Sequence, residues 1–510
     1  MEVATTAAVS LVGLEGHMVQ VQAHLSATVP GFTVVGLPDA ALSESRDRVR
    51  AAVSSTGLAW PVRKITVNLS PAALRKQGSG YDLAIAVAIL AGAGEIPAGG
   101  LDSVVHLGEL GLDGRIQPVR GVLPAVAAAV DAGYERIVVA ASDAPEARLV
   151  PGARVVGAAS LAEVVALHGG EGAVVREVER VERPRAAGHT ATPGDMSDVV
   201  GQAAARRALE VAAAGGHHVF FVGPPGSGKT MLASRLPGIL PDLTERHAVE
   251  VTAVHSVAGT FDPAGGLIRR PPYEAPHHTA TQAAVVGGGS GLPRPGAATR
   301  AHRGILFLDE VAEFRPSVLD TLRQPLEQGE LVIHRSGGVA RYPARFQMVL
   351  AANPCPCGKS IGKGLECTCT PVMRRRYFGR LSGPLLDRVD LQIEVQPVDK
   401  VDRAGGAGEP TAVVARRVAA AREAAAARLR GTGWTTNSEV PGRWLRERLR
   451  TTKGIENLMD RALADGTLSL RGVDRVLRVA WTLADLAGRD APVEDDVLTA
   501  VTMRQGLRHG

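Results

Sequence analysis

The 510-residue chain is poor in aromatic side chains, which make up 3% of it, and it has only four cysteines. Ala, Val, Leu and Gly take the place of the rings, so the interior is expected to be aliphatic. All four cysteines fall between Cys355 and Cys369, so no disulfide can staple distant parts of the chain together. No apolar run reaches the roughly 20 residues that a membrane-spanning helix needs. The opening stretch MEVATTAAVSLVGLEGH has an acid at Glu2 and no basic start, so no secretory leader is read there. These absences predict a cytoplasmic protein with no membrane partner. A strong charge of one sign is also missing: 57 basic residues face 52 acidic ones, for a net +5 and a pI near 9.2. That balance permits a nucleic-acid partner without requiring one. No repeat of solenoid period is present.

Residues 1–170 read as mixed strands and helices. KITVNL (Lys64–Leu69) and RIVVAA (Arg136–Ala141) are strand-like, and LPAVAAAVDAGY is helical. Residues 171–195 are charged, hold few large apolar side chains and gain Pro and Gly toward their end, which marks an interdomain linker. A second globular pattern follows over 196–402, opening as helix, short loop, strand, glycine loop, helix. DRAGGAGEP (Asp402–Pro410) reads as a hinge. Residues 403–510 beyond it read as one long Ala/Arg helix followed by three or four shorter ones.

Gly223-Pro224-Pro225-Gly226-Ser227-Gly228-Lys229-Thr230 fits the phosphate-binding pattern G-x-x-x-x-G-K-[ST]. Its glycines let backbone N–H groups close around phosphate oxygens, Lys229 reaches the terminal phosphates, and Thr230 offers a hydroxyl to magnesium. The apolar strand HHVFFV before it and the helix-starting TMLASRLPGIL after it supply the required context. ILFLDE is a buried strand running into two acids: Asp309 suits a magnesium shell, and Glu310 suits the base that orients the attacking water. ATP and Mg2+ are the cofactors implied. At the end of a third strand, RFQMVLAANP, Asn353 can contact the γ-phosphate or the water, or can simply form a turn before Pro354. Arg388 lies between Asp387 and Asp390, as a local salt bridge or as an arginine finger delivered to a neighbour's nucleotide. Arg471, Arg475 and Arg478 fall on successive helical turns, and one of them would reach back to the phosphates.

Taken together, GHHVFFVGPPGSGKTMLA, APHHTATQAAVVGGG, GILFLDEVAEF, AANPCPCG and GRLSGPLLDRVDLQIEV resemble the ComM/YifB subfamily of magnesium-chelatase-like AAA+ ATPases. The resemblance spans nearly the whole chain. It implies an α/β fold: a P-loop AAA+ core with a C-terminal helical lid, preceded by an α+β Lon-protease-like domain. It also implies that Asn353 is sensor 1, Arg388 the finger and Arg471 sensor 2. Residues 271–304 become the helix-2 insert, and residues 330–343 the pre-sensor hairpin, both turned toward a central pore. His334, Arg335 and Arg341 surround the hairpin turn and suit a polyanion there.

LSPAALRKQGSGYDLAIAVAIL and HLGELGLDGRIQPVRGVLPAVAAA resemble the Lon segments that carry its serine and lysine. Here Gly80 stands at the serine position and Leu123 at the lysine position. Shifting by one residue brings in Ser79 but still no lysine. Ser–Lys catalysis needs both groups, so a catalytically inactive binding or assembly module is expected.

Cys355, Cys357, Cys367 and Cys369 form C-x-C, nine residues, C-x-C, a pattern that four thiolates around zinc would give and that a loop of reduced cysteines would also give. The following MRRRYFGR carries Arg374, Arg375, Arg376 and Arg380 with no acid. The function expected is a homo-hexameric ATP-driven motor acting on forked or branched DNA without sequence preference, as in ComM-like branch migration. The alternative is a chelatase-type motor subunit driving metal insertion through a partner.

Overall fold

The computed structural model describes residues 3–36, 40–74, 76, 78–175, 181, 194–289, 293–335, 338–360, 366–397, 408–448, 453–466 and 468–505. Most of the expected linker, and 402–407 of the expected hinge, lie outside those residues.

The first sheet has seven strands, in the order Gly31–Val35, Lys64–Ser70, Glu15–Ser26, Ala4–Val12, Val104–Leu107, Arg136–Ala140, Arg154–Ala158. Its middle is antiparallel, pairing Ala4–Val12 with Glu15–Ser26 and the latter with Lys64–Ser70. From Ala4–Val12 outward through the last three strands every pairing is parallel. One half is therefore of βαβ type, with the helix Val122–Asp131 as a crossover, rather than α+β throughout. Asp82–Ala93, apolar on nearly all its faces, is a buried central helix.

The second sheet has five strands: Tyr273–Glu274, Ile305–Leu308, Gln347–Ala352, Val219–Val222, Leu391–Glu394, all parallel. Its three central strands, ILFL, QMVLAA and VFFV, are fully buried, as a parallel sheet covered on both faces requires. The scarce rings concentrate here: Phe220, Phe221, Phe307 and Phe314 are among the largest fully buried side chains. Helices Thr411–Arg428, Gly442–Arg448, Lys453–Ala464, Leu470–Leu486 and Glu494–Gln505 follow. Leu470–Leu486 is the most amphipathic of these and buries its apolar face in the same cluster as Val219, Phe221 and Leu391.

The two sheets meet at a seam. Val122, Leu123 and Val126 share a hydrophobic cluster with Ala253 on the helix Glu245–Ala258. Gly121 N–H donates to the Ser256 carbonyl at 3.3 Å. Glu146, fully buried, accepts from the Leu123 N–H at 2.9 Å and from the Ser256 hydroxyl. Leu123, the position where Lon's lysine was sought, thus lies in the contact between the two sheets.

Candidate active site

The glycine loop leaves the strand Val219–Val222 and enters the helix Lys229–Ile239. Gly228 caps that helix at φ +92°, a conformation open to glycine and poorly to other residues. At Gly223 a Cβ would come 2.3 Å from the Val395 carbonyl, so the loop starts where only glycine fits. Lys229 Nζ donates to the carbonyls of Gly223 (2.7 Å) and Pro224 (2.8 Å) and to Asn353 Oδ1 (3.3 Å). Burial pulls its pKa below the usual lysine range, with Asp309 and Glu310 opposing. Ser227 Oγ is buried and has no partner among the described residues. An orphaned donor inside a glycine cradle, with a lysine already folded back over it, fits phosphate oxygens.

Thr230 Oγ1 donates to Asp309 Oδ2 at 2.7 Å, so the two groups suited to magnesium are already adjacent. Glu310 follows at φ +50°, ψ +43°, left-handed and therefore strained by on the order of 1–3 kcal/mol. Its N–H donates to Asp309 Oδ1 at 2.9 Å, and its carbonyl accepts from Glu313 N–H at 2.7 Å. Two residues signalled by their strand ends, Asp309 and Asn353, thus converge on the same loop.

Arg388 is paired with Glu327, on the helix Arg323–Gln328, and donates to the Pro384 carbonyl. Neither of its flanking acids holds it. Asp387 is exposed. Asp390 is buried and bonded to Arg475 Nη1 at 2.7 Å and His217 Nδ1 at 3.3 Å. Of the three candidate arginines on Leu470–Leu486, Arg475 is spent on Asp390 and the Arg388 carbonyl, and Arg478 Nε on the Val440 carbonyl at 2.7 Å. Arg471 is exposed. It lies near enough to Arg388 that its charge, with those of Arg475 and Arg323, adds to burial in pulling the Arg388 pKa down.

The four cysteine Sγ atoms lie within 4.8 Å of one another, with Cys355 Sγ 3.3 Å from Cys357 Sγ and both 3.7 Å from Cys367 Sγ. Tetrahedral thiolates on zinc stand about 3.8 Å apart. The cluster touches the nucleotide loop: a Cβ on Gly358 would come 2.6 Å from Pro225 Cδ. Of the arginines after it, Arg374 reaches Ser360 Oγ (3.2 Å), and Arg380 finds its acid in Glu313 (2.9 Å). Arg375 and Arg376 are exposed.

The expected hairpin is Glu330–Arg335 paired with Gly338–Pro343. His334 is exposed near the turn, and Arg335 ends its strand. Arg341 stands back from the turn. It pairs in register with Val332, back along the strand from the turn, and its guanidinium is bound to Glu330 at 3.0 Å. Its backbone carbonyl abuts Gly13 of the first sheet, where a Cβ would come within 2.5 Å. The turn is less basic than the bare sequence implied.

Family models match three stretches: "Magnesium chelatase, subunit ChlI" over residues 195–403, "Subunit ChlI of Mg-chelatase" over 21–143, and "Magnesium chelatase, subunit ChlI C-terminal" over 408–504. An uncharacterized protein of Mycobacterium tuberculosis is 52% identical over 98% of this chain and 97% of its own length. YifB of Escherichia coli is 39% identical over 96% of this chain and 95% of its own, and competence protein ComM of Haemophilus influenzae 38% over 97% and 96%. The chain belongs to the ComM/YifB subfamily of magnesium-chelatase-like AAA+ ATPases. Its likeness to Lon is partial: Lon protease 2 of Bacillus subtilis is 32% identical over 158 residues, 28% of this chain.

In this ComM/YifB-type chain the Ser79 hydroxyl is bound to the Glu109 carboxylate, and Leu123 is buried. One neighbour of the nucleotide residues escaped the sequence reading. His278 Nδ1 stands 2.9 Å from Glu310 Oε2. Its signal in the sequence is the paired histidine of APHHTAT.

Proposed function

We infer that the chain is the ATP-hydrolysing subunit of a homo-hexameric ring that moves forked or branched DNA. The observation that carries the ATPase half is the convergence of Lys229, Thr230, Asp309, Glu310 and Asn353 on one glycine loop. In this reading Gly223–Thr230 wraps the phosphates, and Lys229 exchanges its carbonyl partners for phosphate oxygens. Thr230 and Asp309 would hold magnesium, which when bound would offset charge on the terminal phosphates. Glu310 takes the proton of the water as its oxygen bonds to the terminal phosphorus and the bond from that phosphorus to the bridging oxygen breaks, its electrons leaving with ADP. Asn353 orients that water, Arg388 reaches a neighbour's nucleotide, and Arg471, unlike Arg475 and Arg478, remains available as sensor 2. Cys355, Cys357, Cys367 and Cys369 would hold one zinc ion.

The DNA half is supported by the full-length likeness to a competence protein and by the exposed His334 and the Arg335 position at the hairpin end. Backbone contacts of this kind carry no base information and weaken steeply with salt. The test is movement of a four-way junction by the purified protein with ATP, together with its ATPase rate with and without that junction. Stimulated hydrolysis and ATP-dependent separation of the junction into duplexes by branch migration are expected, with Arg335→Glu weakening junction binding and flattening its salt dependence. A protein whose ATPase ignores every DNA form would leave the chelatase-type motor as the better reading.

A further inference from the structure

Two arginines from opposite sides of the seam come together at one corner of the molecule. Arg120 stands in the loop between Ile116–Gln117 and the helix Val122–Asp131. The backbone on either side of it is tied down: the Val119 N–H donates to the buried Asp143 carboxylate at 2.9 Å, and the Gly121 N–H to the Ser256 carbonyl at 3.3 Å. Its guanidinium lies over Gly259, the left-handed cap of the helix Glu245–Ala258, where a Cβ would come 3.1 Å from it. Arg294 stands in the strand Arg294–Pro295, which packs on that same helix. Its flanking carbonyls are tied as well, that of Pro293 by the buried Tyr342 hydroxyl at 2.5 Å and that of Pro295 by Arg300 at 3.3 Å. Both arginines are exposed, and among the described residues neither guanidinium has an ion-pair or hydrogen-bond partner.

Partial burial, and then the charge of Arg294, pull the Arg120 pKa below its ordinary value. Like charges brought together on fixed backbones are relieved by an anion that both can reach, and one phosphate accepts from two guanidiniums at once. The hairpin joins this corner to the face proposed to contact DNA. Tyr342, which holds Pro293, is four residues from Gly338, where the hairpin turns, roughly 13 Å of strand. A free phosphate would fill only the corner, whereas a nucleic-acid backbone can run from the turn to it. We propose that Arg120 and Arg294 clamp one backbone phosphate of DNA between them, so that the amino-terminal half of the chain is itself a DNA-binding surface. The proposal rests on the reading of the chain as a DNA motor. It gives the seven-stranded sheet a ligand of its own, held without regard to base sequence.

Fluorescence anisotropy of a labelled four-way junction, titrated with the full-length protein over a range of salt, tests the clamp. Arg120→Ala and Arg294→Ala should each weaken binding about tenfold, the low end for a charge-assisted hydrogen bond. The double variant should lose about 20-fold rather than about 100-fold, because the two side chains share one phosphate. Its slope of log affinity against log salt should be shallower by about 0.9, the value of one phosphate. Arg120→Lys, which keeps the charge, should retain most of the affinity. ATP turnover without DNA and the melting temperature should match the parent's in every variant, since both side chains are exposed and neither touches the nucleotide loop. Parental affinity and slope in the double variant would refute the clamp. Losses that multiply to about 100-fold would assign the arginines to separate phosphates and refute the shared site. A parent protein that binds no DNA at any salt would instead sink the motor reading on which the clamp depends, so the parent's own titration tells the two failures apart.

Discussion

Arg475 donates from one Nη1 to both the backbone carbonyl of Arg388, at 2.9 Å, and the carboxylate of Asp390, at 2.7 Å. The helix Leu470–Leu486 is thereby tied to the residue expected to act as the finger. Asp390 is buried, and its pKa is held well below the carboxylate range, against the pull of burial, by Arg475 and then His217. Arg475→Ala leaves that charge short of its main partner and should destabilise the protein by about 3 kcal/mol. Denaturant unfolding at neutral pH measures it. A loss within error of zero would mean that the pair is dispensable.

Arg388 should work across a subunit boundary. Chains carrying Arg388→Ala and chains carrying Lys229→Ala should each be inactive alone and regain part of the ATPase activity when mixed, because one intact site forms at a mixed boundary. No recovery at any ratio would assign Arg388 to its local partner, Glu327.

Lys229→Ala and Glu310→Gln should fail differently. The first removes a cation from the phosphates and should weaken ATP binding at least about tenfold. The second should bind ATP as the parent does and lose turnover by about 100-fold or more. Fluorescent-nucleotide titration beside steady-state kinetics separates them.

Protein prepared without chelator should contain about one zinc per chain, the count that four thiolates in one tetrahedral site can hold. Replacing Cys355 and Cys369 together with Ser should remove it. Because Gly358 packs on Pro225, the same variant should also weaken ATP binding. Metal analysis by mass spectrometry showing no zinc would leave a loop of reduced thiols.

Mild acid should loosen the first sheet. His106 is fully buried between Thr6 (2.8 Å) and His168 (2.9 Å), and burial, with the charges of His168 and Arg136, pushes its pKa down to about 3. In the unfolded chain the same group titrates near 6.5, so the unfolded state takes the proton first. The stabilisation is complete above about pH 6.5 and lost as pH falls toward 3, amounting to about 2 kcal/mol by pH 5. Thermal melts at pH 7.5 and 5 should show the drop, and His106→Asn should show less of it.

What the sequence disclosed was local. The glycine loop, the Leu308-Asp309 strand end and the hairpin are each set by residues within a few positions of one another, and the structure has all three. The contacts it hid are those between segments far apart in the chain. His278 meets Glu310 only because the edge strand lies beside the strand that ends at Leu308. For Arg388 the local alternative to a finger was a bridge to its flanking acids, yet the acid it meets comes from the helix Arg323–Gln328. Arg341 was placed around the turn, and charge counting cannot see that Glu330 meets it across the ladder. Periodicity reports which face is buried and is silent on what that face meets.

Glu146 gives the seam a mechanical meaning. A buried carboxylate drawing one donor from each side, Leu123 N–H and the Ser256 hydroxyl, would lose the second if the two sheets parted, and the apolar contact around Ala253 would be wetted with it. Torque applied to the helix Glu245–Ala258 is therefore passed on to the seven-stranded sheet. In the motor proposed above, the seven-stranded sheet would be carried along with that helix and would lengthen the arm it swings.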